Sequence, residues 1–129
     1  MKKTVEFADE LSSSSSGIDV IKSIVAGILE KKGEEISVLD VGDLAGYTDF
    51  FIIVSGNNFP QVQAIAESVS KRLKELGIKS SIEGFKTGTW VLIDAGNIIF
   101  HIFQKETRRF YALEDLWSDA RKIEIFSEN

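Results

Sequence analysis

Thr48-Asp49-Phe50-Phe51-Ile52-Ile53-Val54-Ser55-Gly56-Asn57-Asn58-Phe59-Pro60 decides the fold class of this chain. The unbroken apolar run Phe50–Val54 leaves no polar side for water. Such a strand belongs in the middle of a sheet covered on both faces. Ser55-Gly56-Asn57-Asn58 breaks the run, and Pro60 predicts a helix start, where its missing N–H costs nothing. Val62, Ile65, Val69, Leu73 and Leu76 then recur at helical spacing, and Gly77 ends the segment. A two-faced strand followed by an amphipathic helix predicts an α/β domain.

On the N-terminal side, Ile18, Ile21, Ile24, Val25, Ile28 and Leu29 share one helical face, with Gly33 as the expected stop. Ile36–Val41 reads as a short strand. Residues 1–16 hold Lys2, Lys3, Glu6, Asp9 and Glu10 followed by Ser12–Ser16, the composition of a flexible N-terminal arm. No apolar stretch of roughly 7–15 residues follows the lysines, as a signal peptide would require. A cytoplasmic location is the expectation.

On the C-terminal side, Lys79–Glu83 predicts a strand and Gly84–Thr89 a flexible turn. Trp90–Ile93 and Ile98–Phe103 flank Asp94-Ala95-Gly96-Asn97, a hairpin signal. With Ala95-Gly96 as the loop, Trp90 lies opposite His101 and Leu92 opposite Ile99. One hairpin face then carries Trp90, Leu92, Ile99, His101 and Phe103, and the other Val91, Ile93, Ile98, Phe100 and Ile102. A final helix is expected over Arg108–Ala120 with Leu113, Leu116 and Trp117 inward. Residues 121–129 form a C-terminal tail in which Ile123, Ile125 and Phe126 pack or pair as an edge strand. The order α-β-β-α-β-β-β-α predicts a single mixed sheet flanked by helices, with residues 17–120 as one domain.

Composition narrows the function. The 129 residues are 43% hydrophobic and carry 20 acids against 15 bases, a net charge of −5. A mean hydropathy of +0.02 is too apolar for a disordered chain, and no run approaches the roughly 18 apolar residues of a membrane helix. The acidic balance opposes binding through nucleic-acid phosphates and suits a basic protein partner. Without cysteine, and with His101 as the single histidine, thiol nucleophiles, zinc ribbons and multi-histidine metal sites are excluded.

The remaining candidates for chemistry are weak. Ser55-Gly56-Asn57-Asn58 before a helix is either an anion site or a turn with an asparagine cap, and it lacks the lysine of a phosphate loop. Asp40, Asp43, Asp49 and Asp94 fall near strand ends, but no Asp-x-Asp pair sets two on one strand face as two-metal chemistry asks. His101 alternates with Ile99 and Phe103, and its readings are a half-buried histidine stacked with Trp90, a binding-face residue, or less readily a general base. Trp90, Phe103, Phe110, Tyr111 and Trp117 gather in the last 40 residues. Trp and Tyr are the residues most enriched at binding hot spots. A binding module is the reading these residues favour.

Thr48-Asp49-Phe50-Phe51-Ile52-Ile53-Val54-Ser55-Gly56 resembles the TDFFIIxSG block of the ribosomal silencing factor (RsfS/Iojap) family. Val62–Ala66 is similar to the family's following helix. Trp90–Asp94 with His101-Ile102-Phe103 resembles WxLxDxGDxxxHxF, and Arg108–Trp117 resembles RxxYxLExLW. Asn97 stands where an acid is common, and Phe110 where Tyr or Leu is usual. The resemblance covers roughly residues 18–120 and implies a nucleotidyltransferase-like fold without catalysis or cofactor. It implies a translational repressor that binds the large ribosomal subunit through its ribosomal protein fourteen and blocks joining of the small subunit. Little direct nucleic-acid contact and no membrane are expected, and a homodimer is left open. The partner-binding residues expected on this reading are Trp90, His101, Phe103, Tyr111 and Leu113. The alternatives are a large-subunit assembly factor, or a vestigial nucleotide-binding enzyme using Ser55–Asn58 with Asp49.

Overall fold

The computed structural model describes residues 15–125. Residues 1–14 of the expected arm, and Phe126 in the tail, lie outside this range. Helix α1 spans Ser15–Glu30, β1 Glu34–Asp40, α2 Gly42–Ala45, β2 Phe50–Gly56 and α3 Phe59–Glu75. Strands β3 (Ser81–Glu83), β4 (Trp90–Asp94) and β5 (Ile98–Gln104) follow, then α4 (Lys105–Tyr111), α5 (Leu113–Leu116) and β6 (Arg121–Ile123). Ser15 and Ser16, expected in the arm, already belong to α1. The strands form one six-stranded sheet in the order β3-β4-β5-β2-β1-β6. Only the central β2–β5 pair is parallel, and β1, β3, β4 and β6 pair antiparallel with their neighbours. The single mixed sheet flanked by helices is what the sequence led us to expect.

Every residue of β2 is buried, because its two faces serve two different cores. Phe50, Ile52 and Val54 join Val91, Ile93, Phe100 and Ile102 beneath α1 and α3. Phe51 and Ile53 join Leu39, Val41, Ile99 and Phe103 on the opposite face. That second core is smaller and covered by no long helix. Trp90, Leu92, Leu113, Trp117, Ala45 and Ala120 close over it. Among the described residues no helix is long and apolar enough to cross a membrane.

Three local expectations need correction. Helix α1 ends in a Schellman turn, with Lys32 N–H bonded to Leu29 O at 2.9 Å and Gly33 N–H to Ile28 O at 3.0 Å. Lys32, with φ 67°, takes the left-handed position that Gly33 was expected to fill. Gly33 is instead a close-approach residue, since a Cβ there would lie 2.5 Å from Ile28 Cγ2.

The hairpin register differs from the expected one. Trp90 pairs with Phe103 and Leu92 with His101, and Ala95 N–H donates to Ile98 O at 2.9 Å. The loop is therefore Gly96-Asn97, because glycine is the residue that accepts φ 87° at the first loop position. The turn centre moves by one residue while each strand keeps its alternation. The two faces consequently carry the side chains expected of them.

The last helix breaks at Ala112, whose φ and ψ are both 47°. α4 and α5 thus have different axes, and Leu116, expected inward, is 76% exposed. Trp117 still turns in, edge-on to Phe51 at 5.1 Å. β6 pairs with β1 and buries Ile123, as the edge-strand expectation for the tail held.

Candidate functional site

Strand alternation places Trp90, Leu92, His101 and Phe103 on the second face of the sheet, and α4 sets Tyr111 and Phe110 beside them. The Trp90 indole stacks on Phe103 at 4.9 Å with 30° between the planes. Its Nε1–H donates to His101 Nδ1 at 3.1 Å. Tyr111 leans on the indole at 4.8 Å, and Phe110 meets Tyr111 edge-on at 5.1 Å. These rings run from the core outward: Phe103 is fully buried, Tyr111 is 51% exposed and Phe110 80% exposed. An exposed aromatic ridge with a buried footing is the geometry of a binding hot spot.

The residues expected to bind a partner therefore divide into two layers. Trp90 and Tyr111 reach the surface, while Leu113 is half-buried against the second core. Phe103 and His101 lie beneath them, and His101, at 5% exposure, is neither half-buried nor a surface residue. The expected stack of Trp90 on His101 is replaced by a hydrogen bond between tilted rings 5.9 Å apart. Register explains this, since the two residues are diagonal rather than opposite neighbours. Phe110 was not among the expected residues.

Because His101 Nδ1 accepts from the indole, the neutral imidazole carries its proton on Nε2. That atom is buried with no hydrogen-bond partner among the described residues. Burial lowers the imidazole pKa from 6.5 to about 4. An unfolded chain binds the proton near pH 6.5, whereas the folded protein refuses it until about pH 4. Stability is thus full above pH 6.5 and falls as the pH drops, by about 3 kcal/mol in total. Urea unfolding at pH 7 and pH 4.5 should reveal this loss, and His101→Gln, which keeps an acceptor for Trp90, should remove most of it. Equal pH dependence in the two proteins would sink this assignment.

The corner that carries Tyr111 is held by Arg108. Its guanidinium donates to Glu114 Oε1 from Nε at 3.1 Å and to Glu114 Oε2 from Nη2 at 3.0 Å. Nη1 donates to Glu35 O at 2.7 Å and Ser55 Oγ at 2.8 Å, and Nη2 also reaches Ser37 Oγ at 3.3 Å. α4, α5, β1 and β2 are thereby tied at one point. Burial by itself would raise the Glu114 carboxyl, but the Arg108 and Ser37 hydrogen bonds and the Arg108 and Lys122 charges outweigh it and lower it. Glu35 adopts φ 54° at the β1 irregularity, which aims its carbonyl at Arg108. Nearby, Lys105 bonds Glu34 at 2.5 Å and holds that carboxyl below its usual range. Arg108 and Glu114 are the R and E of the RxxYxLExLW resemblance, but nothing in the sequence said that they pair.

The residues of the nucleotide-binding alternative do not meet. Asp49 precedes β2, whereas Ser55 and Gly56 end it and Asn57 and Asn58 follow, so the two groups stand about 20 Å apart at opposite ends of the strand. The turn is occupied by its own side chains. Asn58 Oδ1 accepts from Gln61 N–H at 2.9 Å, and Gln61 Oε1 accepts from Asn57 N–H at 2.6 Å. The asparagine-cap reading describes this turn. Asp40 pairs with Arg121, and Asp94 accepts from Gly96 N–H at 2.9 Å. Among the described residues no three His, Asp or Glu side chains converge to hold a metal.

Comparison with known proteins places this geometry in context. The family described as ribosomal silencing factor during starvation matches residues 14–129. A ribosomal silencing factor of Halalkalibacterium halodurans is 38% identical over 111 residues, covering 85% of this chain and 95% of that protein. A crystal structure of a Chromobacterium violaceum protein superposes with a TM-score of 0.76 at 32% identity, covering 86% of this chain and 92% of that one. The mouse protein named mitochondrial assembly of ribosomal large subunit protein 1 is 31% identical over 102 residues, covering 76% of this chain and 45% of that protein.

Proposed function

We propose a function from one premise: this chain belongs to the ribosomal silencing factor (RsfS/Iojap) family. It acts in the cytoplasm on the ribosome, as a regulatory protein whose effect comes from binding. It docks on the large subunit through ribosomal protein fourteen and prevents the small subunit from joining. The observation that carries this reading is the aromatic ridge Trp90–Tyr111–Phe110, anchored on a buried ring and standing out from an acidic domain.

Steric exclusion needs no chemistry. A 129-residue domain has a radius of gyration of about 14 Å, so on the joining surface it overlaps an incoming subunit. An interface of roughly 1,600 Å² in total supplies specific binding. The second face of the sheet offers Trp90, Tyr111, Phe110 and Leu92 for it. The charge of −5 complements a basic ribosomal protein.

Sedimentation through sucrose with separated ribosomal subunits tests the reading. The protein should travel with large subunits, and joined ribosomes should decline as it is added. Protein that stays at the top of the gradient with both subunits present would overturn it. The name of the mouse relative favours a second reading, a factor used during large-subunit assembly. A strain lacking the protein would then accumulate large-subunit precursors in rich growth, whereas a pure silencing role alters joining chiefly under starvation.

A further inference from the structure

Beside the ridge lies a groove of about 480 Å³ lined by Thr89, Trp90, Glu106, Thr107, Phe110 and Tyr111. Its aromatic walls are mutually inclined, with 48° between Trp90 and Tyr111 and 89° between Tyr111 and Phe110. Rings set at such angles offer electron-rich faces to one bound group from more than one side. Glu106 lies one helical turn before Phe110 and Thr107 one turn before Tyr111, so α4 delivers both polar groups to the same opening. Phe110 belongs to the ridge described above, whereas Glu106 has been assigned no role.

The chemistry of these walls is selective. Aromatic faces attract cations through the ring quadrupole, and a carboxylate at the rim adds full charge. Glu106 is exposed and has no ion-pair partner among the described residues, unlike Glu34, which is paired with Lys105. The chain's own Lys105, Arg108 and Arg109 line the neighbouring groove with Glu35 and Glu114, so no cation of α4 fills this one. Thr89 and Thr107 supply hydroxyls that can accept hydrogen bonds from a guanidinium. A nucleic-acid base could also stack on the rings, but its phosphates would face Glu106 and a chain of charge −5.

We propose that this groove receives an arginine side chain of the protein partner, its guanidinium stacked among Trp90, Tyr111 and Phe110 and paired with Glu106. This rests on the docking face proposed above and names the group that the face recognises. Arginine suits the site because its planar cation stacks on rings while its edge still donates hydrogen bonds. Trp90 is the fixed wall, since Phe103 and His101 hold its plane, whereas Phe110 is the wall most open to solvent.

The test uses the full chain and N-acetyl-argininamide, followed by two-dimensional NMR, with the neutral citrulline analogue and a short single-stranded RNA as comparisons. The arginine probe should shift the Trp90 indole and the Phe110 and Tyr111 signals saturably, and the citrulline analogue should not. Glu106→Gln should weaken the probe by about threefold to tenfold, and Phe110→Ala by a similar factor. The same two variants should leave the large subunit more readily, and for Glu106→Gln the salt dependence of binding should shrink. Equal binding of arginine and citrulline probes would overturn the proposal. So would binding of the RNA alone, or an arginine probe that shifts only residues elsewhere. If wild type sediments with large subunits while the groove ignores the probe, the arginine site fails and the docking reading stands. If wild type does not sediment with them, the docking reading fails whatever the probe does.

Discussion

Arg108→Ala should destabilise the protein by about 3 kcal/mol, a large share of the 5–15 kcal/mol that holds a domain of this kind together. The guanidinium side chain is almost enclosed and reaches Glu114, Glu35 O, Ser37 and Ser55. Truncation strips the Glu114 carboxylate of its countercharge and leaves Ser55 Oγ, on a fully buried residue, with Glu35 as its remaining partner. Removing one member of such a pair costs more than the pair contributes, because the other stays desolvated. Arg108→Lys should recover only part of the loss, since an ammonium cannot fork to both Glu114 oxygens. Replacing both Arg108 and Glu114 by apolar residues should restore more than either single change allows. Urea unfolding of these variants measures the effect; an Arg108→Ala protein within 0.5 kcal/mol of wild type, about the size of an exposed pair, would contradict it. The sign with pH follows from Glu114, whose carboxyl is held below its usual range. Its contribution is present above the unfolded carboxylate pKa and disappears as pH falls through the lowered folded value.

Trp90→Ala should reduce affinity for the large subunit by about 30- to 1,000-fold, equivalent to about 2–4 kcal/mol. The indole is the meeting point of the ridge: it rests on Phe103, bonds His101 and supports Tyr111. Its loss removes contact area and also frees Tyr111, so part of the penalty is lost preorganisation. Because Trp90 also covers the second core, its truncation costs stability, and two further variants separate the effects. Tyr111→Ala removes a half-exposed ring with little of the core and should weaken binding while the unfolding midpoint stays near wild type. Trp90→Phe keeps a stacking ring but not the indole N–H, and should fall between wild type and Trp90→Ala. Wild-type affinity in both Trp90→Ala and Tyr111→Ala would place the interface elsewhere.

Much of the fold was legible in the chain. Phe50–Val54 announced a central strand because no other environment accommodates five apolar side chains on both faces of an extended segment. The hairpin faces were legible for a similar reason: alternation alone assigns Trp90 and His101 to one side, even with the turn centre misplaced by a residue. The misplaced stop of the first helix and the broken last helix have one physical origin. Left-handed backbone at Lys32, Glu35 and Ala112 is imposed by tertiary contacts on residues that do not advertise it. At Ala112 the break accompanies the Arg108–Glu114 pair, which joins residues six apart that a continuous helix would hold on different faces.

The candidate site was only half legible. Trp90 and Tyr111 were visible as aromatic residues in a chain poor in reactive groups. The supporting roles of His101 and Phe103 depend on the pairing register, and the Arg108 contacts to Glu35, Ser37 and Ser55 span 53 to 73 residues, beyond any local pattern. Glu106 and Phe110 did carry a local signal, their one-turn spacing, which becomes meaningful only once α4 is seen to begin at Lys105 rather than near Arg108.

The most direct measurement is light scattering from purified small and large subunits mixed in joining buffer with increasing amounts of this protein. Joining should fall in proportion to the large subunits occupied and saturate at one protein per subunit, while Trp90→Ala at the same concentrations leaves joining intact. Undiminished joining with the wild-type protein demonstrably bound to large subunits would contradict a role in blocking it.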